Sequence, residues 1–329
     1  MNRRTFVLTL GSGLFAAPAS ARAQGRKVAR VGWVGAWYSR SGAATFLEAF
    51  RLGMRDRGYI EGQNLTIDAR WMEGSVSHDE AASITAELVQ SKVDVVVAQG
   101  ASIFGVKAAA GPVPVLFGYS GDPVAAKLVA SLARPGGNLT GVTFLTLELA
   151  GKRVELLKEA APRISRLAIL FNPLHIGEEE AVRETQAATQ RLGFPLQSFA
   201  VHSVAEVTAA LDTMVRDRIN GVVALPNALI MLQRNAIAEF AVRHRVPTIS
   251  GWEDFANVDG NLMTYGPNLQ QAWRHLATLV DKVLKGAKPG DLPVEQPTTY
   301  QLIINLKTAK ALGLTIPQSL VLRADRLIE

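Results

Sequence analysis

Val113-Pro114-Val115-Leu116-Phe117-Gly118-Tyr119 and Val246-Pro247-Thr248-Ile249-Ser250-Gly251-Trp252 share one frame: Val-Pro, three strand-forming residues, Gly, then an aromatic. Upstream of each lies a second matching pair, Val93-Asp94-Val95-Val96-Val97-Ala98 and Ile219-Asn220-Gly221-Val222-Val223-Ala224. Val-Pro before a strand is common, and any two strand–helix units share some pattern. Two matches in the same order favour a duplicated unit over coincidence. The opening strands Val31–Val34 and Ala168–Phe171 hold equivalent places in the two copies.

Outside these frames, β-branched apolar runs alternate with helical patterns. In the first half the spacing predicts strands at Val28–Val34, Leu65–Arg70, Val93–Ala98 and Val113–Phe117, and helices at Ala43–Arg57, His78–Gln90 and Ile103–Ala110. In the second half strands are predicted at Leu167–Phe171, Leu196–Val201, Gly221–Leu225 and Pro247–Ser250. Helices Glu148–Ala160, Glu178–Leu192, Val204–Asp217 and Ile230–His244 separate them. Strands without strict alternation, each next to an amphipathic helix, call for parallel sheets covered on both faces. The expected fold class is α/β, with two similar open parallel-sheet lobes joined by a multi-strand hinge. The N-terminal lobe is expected at 27–145 plus 264–290 and the C-terminal lobe at 146–263 plus 291–329. Crossings fall near Thr143–Leu147, Leu262–Tyr265 and Lys288–Thr298.

The amino terminus reads as an address. Arg3 and Arg4 precede an apolar run from Phe6 to Ala17, and small residues follow up to Ala23. This is the pattern of a secretory signal over residues 1–23, cleaved near Ala23/Gln24. Paired arginines before Phe and Leu are a twin-arginine export feature. The run is too short to span a membrane, which takes ~20 apolar residues. The mature chain is expected in the periplasm. Without cysteines there is no disulfide framework, no thiolate nucleophile and no lipid-modified cysteine. Formal net charge is +6, and removing Arg3, Arg4 and Arg22 with the leader leaves +3. That charge is scattered and makes no case for nucleic acid.

The chain resembles the ABC-transporter substrate-binding proteins of the type I periplasmic-binding fold, the group that includes tryptophan and other aromatic amino acid binders. The resemblance rests on Phe50-Arg51-Leu52-Gly53-Met54 through Gly58-Tyr59-Ile60-Glu61-Gly62-Gln63-Asn64, on Gly121-Asp122-Pro123-Val124, and on Arg134-Pro135-Gly136-Gly137-Asn138-Leu139-Thr140-Gly141. Tyr265-Gly266-Pro267 and the run Asn305–Pro317 continue it, so it covers the mature chain. It implies an ABC importer's binding component, with a small-molecule ligand, an inner-membrane ABC permease as partner and a monomeric state. Ala98-Gln99-Gly100-Ala101-Ser102 departs from the family's small-hydroxyl-then-proline turn.

In open α/β sheets, ligands bind beyond the carboxyl ends of the strands. In the first lobe those positions hold Trp37, Tyr38, Ser39, Arg40, Gln99, Ser102, Tyr119, Ser120 and Asp122. The second lobe supplies Asn172, Asn227, Trp252 and Asp254, and Tyr265 lies beside a crossing strand. The set is rich in aromatics and poor in charge, which suits a small flat ligand. The shared frame expects Tyr119 and Trp252 to face each other across the crevice. Each residue has a plainer role open to it: Asp122 before Pro123 as a helix cap, Trp252 as cover for its own loop, Arg40 as a solvated residue. Trp33, inside the first strand, is expected to be core.

Signals of catalysis are weak. Gly118-Tyr119-Ser120-Gly121-Asp122 has Asp where a nucleophile elbow needs its last Gly. No phosphate loop or dinucleotide fingerprint occurs. The five histidines, His78, His175, His202, His244 and His275, show no paired metal spacing and read as surface or capping residues. No metal, cofactor or catalytic residue is expected. The competing readings are a transport receptor, a periplasmic sensor that presents its closed form to a membrane receptor, and an exported hydrolase using Ser120. A sugar-responsive repressor of similar fold is excluded by the leader, which stands where a DNA-binding headpiece would.

Overall fold

Buried valine runs build the strands, and the chain winds them into two sheets. The computed structural model describes residues 28–35, 40–72, 77–144 and 149–329. The expected signal segment, Trp37, Tyr38 and Ser39 lie outside the described residues, as does the side chain of Arg40.

The first sheet holds β1 (Ala29–Gly35), β2 (Leu65–Trp71), β3 (Val95–Gln99), β4 (Val115–Tyr119) and β5 (Leu139–Thr143) in the order β2-β1-β3-β4-β5, all parallel. Helices α1 (Arg40–Arg55), α2 (His78–Gln90) and α3 (Ile103–Ala109) connect its early strands. The second half adds α4 (Leu149–Ala160), β6 (Leu167–Phe171), α5 (Glu178–Arg191), β7 (Leu196–Ala200), α6 (Val204–Arg216) and β8 (Gly221–Ala224). It continues through α7 (Ala228–Leu232), α8 (Arg234–His244), β9 (Thr248–Ser250), α9 (Glu253–Ala256), β10 (Met263–Pro267) and α10 (Leu269–Leu284). The chain ends with β11 (Tyr300–Asn305), α11 (Leu306–Leu312), α12 (Gln318–Arg323) and β12 (Arg326–Ile328). The second sheet runs β12-β11-β10-β9-β8-β6-β7, parallel except where β10 meets β11.

Local sequence explains the elements. β3, β4, β6 and β8 are buried end to end, as expected of strands covered on both faces. α2 and α6 start at Ser77 and Ser203, whose hydroxyls accept from the N–H groups of Glu80 and Glu206. In α10 the buried positions Leu269, Ala272, Trp273, Leu276, Ala277, Val280 and Val283 fall on one stripe. That stripe lies along α1 and covers the first sheet.

α10 thus returns to the first lobe after β10 has run in the second sheet. The crossing expected at Leu262–Tyr265 follows Pro267 instead, because pairing with β11 holds Met263–Pro267 in the second sheet. The next return falls at the end of the expected Lys288–Thr298 stretch. Val294 is buried against the first lobe and Glu295 bridges Val142 before β11 begins. Between these crossings lies a cavity of about 320 Å³ lined by Val142, Asn268, Gln271, His275 and Glu295, among others.

Candidate ligand-binding crevice

The loops after β4 and β6 meet, so the carboxyl ends of the two sheets are brought together. Ser120 Oγ lies 2.9 Å from His175 Nε2, and the Asp122 N–H donates to the Ile176 carbonyl at 3.0 Å. No side chain fits at position 121. A Cβ there would stand 2.4 Å from Tyr119 Oη and 2.7 Å from the Ile176 carbonyl oxygen. Glycine is what lets the loops touch.

Behind His175 sits Glu178, at the start of α5 and buried. Its carboxyl accepts from the Asn172 N–H at 2.7 Å and from Asn227 Nδ2 at 2.8 and 3.1 Å. Burial pushes that carboxyl up to about 8, against the pull of these donors. Burial likewise drives the His175 imidazole down to about 4. At neutral pH the pair is therefore largely uncharged. His175 Nδ1 is 3.3 Å from Glu178 Oε1 but makes no hydrogen bond.

Ser120, His175 and Glu178 stand in the order of a nucleophile, a base and an orienting acid. Their electrostatics oppose that use. An imidazole at about 4 is a poor base near neutrality, and a protonated carboxyl does not stabilise an imidazolium. The arrangement works as a contact between lobes.

The other sequence-predicted residues divide by role. Ser102 donates to the carbonyls of Val34 and Gln99 at 3.1 and 3.0 Å, pinning the turn after β3 to β1. Asp122 takes its plainer role: Oδ1 accepts from the N–H groups of Val124 and Ala125. Asn172 accepts from Leu174, and Asn227 caps α7 through Ile230. Tyr265 is half-buried, with its ring centroid 6.3 Å from that of Tyr300. Gln99 is fully buried at the end of β3, and neither its Oε1 nor its Nε2 has a hydrogen-bond partner.

Tyr119 and Trp252 do not face each other. Alternation along β4 puts Tyr119 on the side of Phe117, where its ring neighbours are Phe104 at 5.8 Å and His175 at 5.9 Å. Burial pushes its hydroxyl well above the usual phenol range, with Asp122 and Glu178 adding to the effect. Trp252 packs instead in the cluster on the opposite face of that sheet. With Phe46 and Asp254 it lines a cavity of about 50 Å³ shared by α1, α9 and the start of α10. The two aromatics mark two separate contacts between the lobes.

The sequence reading missed His175 and Glu178, because dispersed histidines default to surface positions. Their signal is the spacing Asn172-x-x-His175-x-x-Glu178 immediately beyond a buried strand. It also missed an aromatic cluster between the first sheet and α1/α10. Trp273 lies at its centre, with centroid distances of 5.1 Å to Trp33, 5.8 Å to Phe144 and 6.1 Å to Phe46.

A model of ABC transporter substrate binding proteins matches residues 38–328. A tyrosine-binding protein of Clostridioides difficile is 25% identical over 269 residues, spanning 81% of this chain and 76% of that protein. An ABC domain from Streptococcus pneumonia, solved in complex with L-Trp, superposes with a TM-score of 0.81 at 26% identity, covering 91% of this chain and 99% of its own. A conserved domain protein from Vibrio cholerae has the same fold, with a TM-score of 0.82 at 24% identity over 92% of this chain and all of that one.

Proposed function

Because the chain belongs to the ABC transporter substrate binding protein family, we propose that it captures a small organic molecule with a flat aromatic part, of the aromatic amino acid class, between its two lobes. The observation that carries this reading is the meeting of the sheet ends at Ser120–His175, beside the rings of Tyr119 and Phe104. Open parallel sheets bind ligands at that end, and aromatic walls with few charges suit a flat molecule. A tyrosine-binding relative and an L-Trp complex of the same fold support the ligand class.

In this reading the leader sends the chain to the periplasm, the lobes close on the ligand by a hinge motion, and the closed form docks on an inner-membrane permease. The protein acts as a monomer, without cofactor or catalysis. Tyr119, Ser120, Asn172, Asn227 and Trp252 contribute to the ligand's surroundings, and His175 joins them. Mass spectrometry of small molecules released by denaturing the purified protein tests the ligand class. An aromatic acid or amino acid released in stoichiometric amount supports it. A sugar or a branched aliphatic acid in that amount would overturn it.

A further inference from the structure

Gln99 occupies an unusual place. Register puts Gly118 of β4 directly beside it, and Val34 beside Ala98 puts Gly35 on its other side. All three lie on the sheet face that α1 and α10 cover, since Val97, Trp33 and Leu116 belong to that core. Both flanking glycines make room for an indole. A Cβ at Gly35 would fall 2.2 Å from the Trp71 ring, and one at Gly118 would fall 2.4 Å from the Trp273 ring. The row therefore reads Trp71 over Gly35, the Gln99 side chain, then Trp273 over Gly118, at the crevice end of the sheet.

Inside this row hydrogen bonds are missing. Gln99 is 0% exposed, and both amide atoms lack partners. The indole N–H groups of Trp273 and Trp33, whose rings pack together, lack partners too. Buried polar groups are normally paired, and an unpaired one destabilises the fold that holds it. A leucine would fill the space without that cost. Gln99 thus holds one acceptor and two donors beside flat rings, with no hydrogen-bond partner for them.

We propose that Gln99 reads the polar substituent on the ligand's ring and selects aromatic molecules that carry a hydroxyl. This inference rests on the proposed capture of a flat aromatic ligand. A phenol hydroxyl donates one hydrogen bond and accepts up to two, so it donates to Oε1 and accepts from Nε2 or an indole N–H. The bare ring of a deoxy analogue leaves those groups unpaired, and such sites reject the analogue.

Titration calorimetry with two matched pairs, L-tyrosine against L-phenylalanine and 4-hydroxybenzoate against benzoate, tests the proposal on the mature protein and on Gln99→Leu. The hydroxylated member of at least one pair is expected to bind at least ~10-fold more tightly, a difference of ~1.4 kcal/mol. In Gln99→Leu that gap is expected to shrink to within ~3-fold, while the deoxy member binds as well as before or better. Ligand-free Gln99→Leu is also expected to unfold at a higher urea concentration than the parent, which verifies its fold. Equal affinities within both pairs for the parent, or a gap that survives in Gln99→Leu, would overturn the role of Gln99 alone. Binding of no member of either pair would overturn the aromatic-ligand reading and this inference with it.

Discussion

Raising the pH from 6.5 to 8 is expected to loosen the protein through one residue, Glu178. Its folded-state value is about 8 against an ordinary 4.5. The native state therefore keeps a proton that the unfolded chain has already released. Stability contributed by such a group is complete below 4.5 and is lost as the pH climbs through 8. With the unfolded carboxyl fully ionised, the loss approaches ~1.4 kcal/mol per pH unit, or ~2 kcal/mol across this window. His175 acts in the opposite sense. Its folded value of about 4 lies below the ordinary 6.5, so its contribution is present above 6.5 and is lost as the pH falls through 4. Between 4.5 and 6.5 the two slopes cancel and give a plateau.

Urea unfolding at stepped pH, on the parent and on Glu178→Gln, measures this. The variant is expected to be less stable throughout by ~1–3 kcal/mol, since its amide nitrogen meets the N–H donors of Asn172 or Asn227. Its stability is nevertheless expected to stay level from pH 6.5 to 8, where the parent declines. A parent that is level across that window, or a variant with the parent's slope, would refute the reasoning.

Two further outcomes follow from features already described. Gly121→Ala puts a Cβ against Tyr119 Oη and the Ile176 carbonyl, so it is expected to separate the loops and weaken ligand binding by ~10-fold, the effect of ~1.4 kcal/mol. Small-angle scattering with saturating ligand is expected to give a larger radius of gyration than the parent shows, and an unchanged curve and affinity would count against the contact. Replacing Arg3 and Arg4 by lysine is expected to block export by the twin-arginine route, read as loss of periplasmic protein on immunoblots. Undiminished periplasmic yield in that double variant would remove the route while leaving the signal.

Much of the architecture was legible because both lobes repeat one strand frame. Buried parallel strands carry runs such as Val95–Ala98 and Leu167–Phe171 that read the same in sequence and in space. The hinge was less legible, since strand patterning does not say which sheet a strand joins. Met263–Pro267 was placed by its partner β11, more than thirty residues further along. Among site residues, the position of Gln99 could be read from the end of its strand, but its lack of partners could not. That property belongs to Gly35 and Gly118, which pull Trp71 and Trp273 down beside it. The frame shared by Tyr119 and Trp252 did not fix where they sit, since Tyr119 ends β4 whereas Trp252 lies beyond β9 at the start of α9. The neighbours that each ring found, His175 for one and Phe46 for the other, come from elements with no counterpart in the repeat.

Helix α10 belongs to the first lobe in space and to the last stretch of the chain in time. Arg274 donates to Asp56 at 2.8 Å, Tyr59 donates to Asp281 at 3.1 Å, and Arg57 reaches Thr278, all joining α10 to residues made more than two hundred positions earlier. When a ribosome has finished β10, all five strands of the first sheet have been made, yet the sheet face bearing Trp33, Val97 and Leu116 still has no helix from Leu269–Leu284 over it. The two lobes therefore cannot mature one after the other during synthesis. The first waits half-covered while the second assembles, and a nascent chain stalled after Gly260 is expected to present that face to chaperones. In the proposed reading, an export route that takes only folded cargo would have to wait for α10 and for β11 and β12, which are made after it.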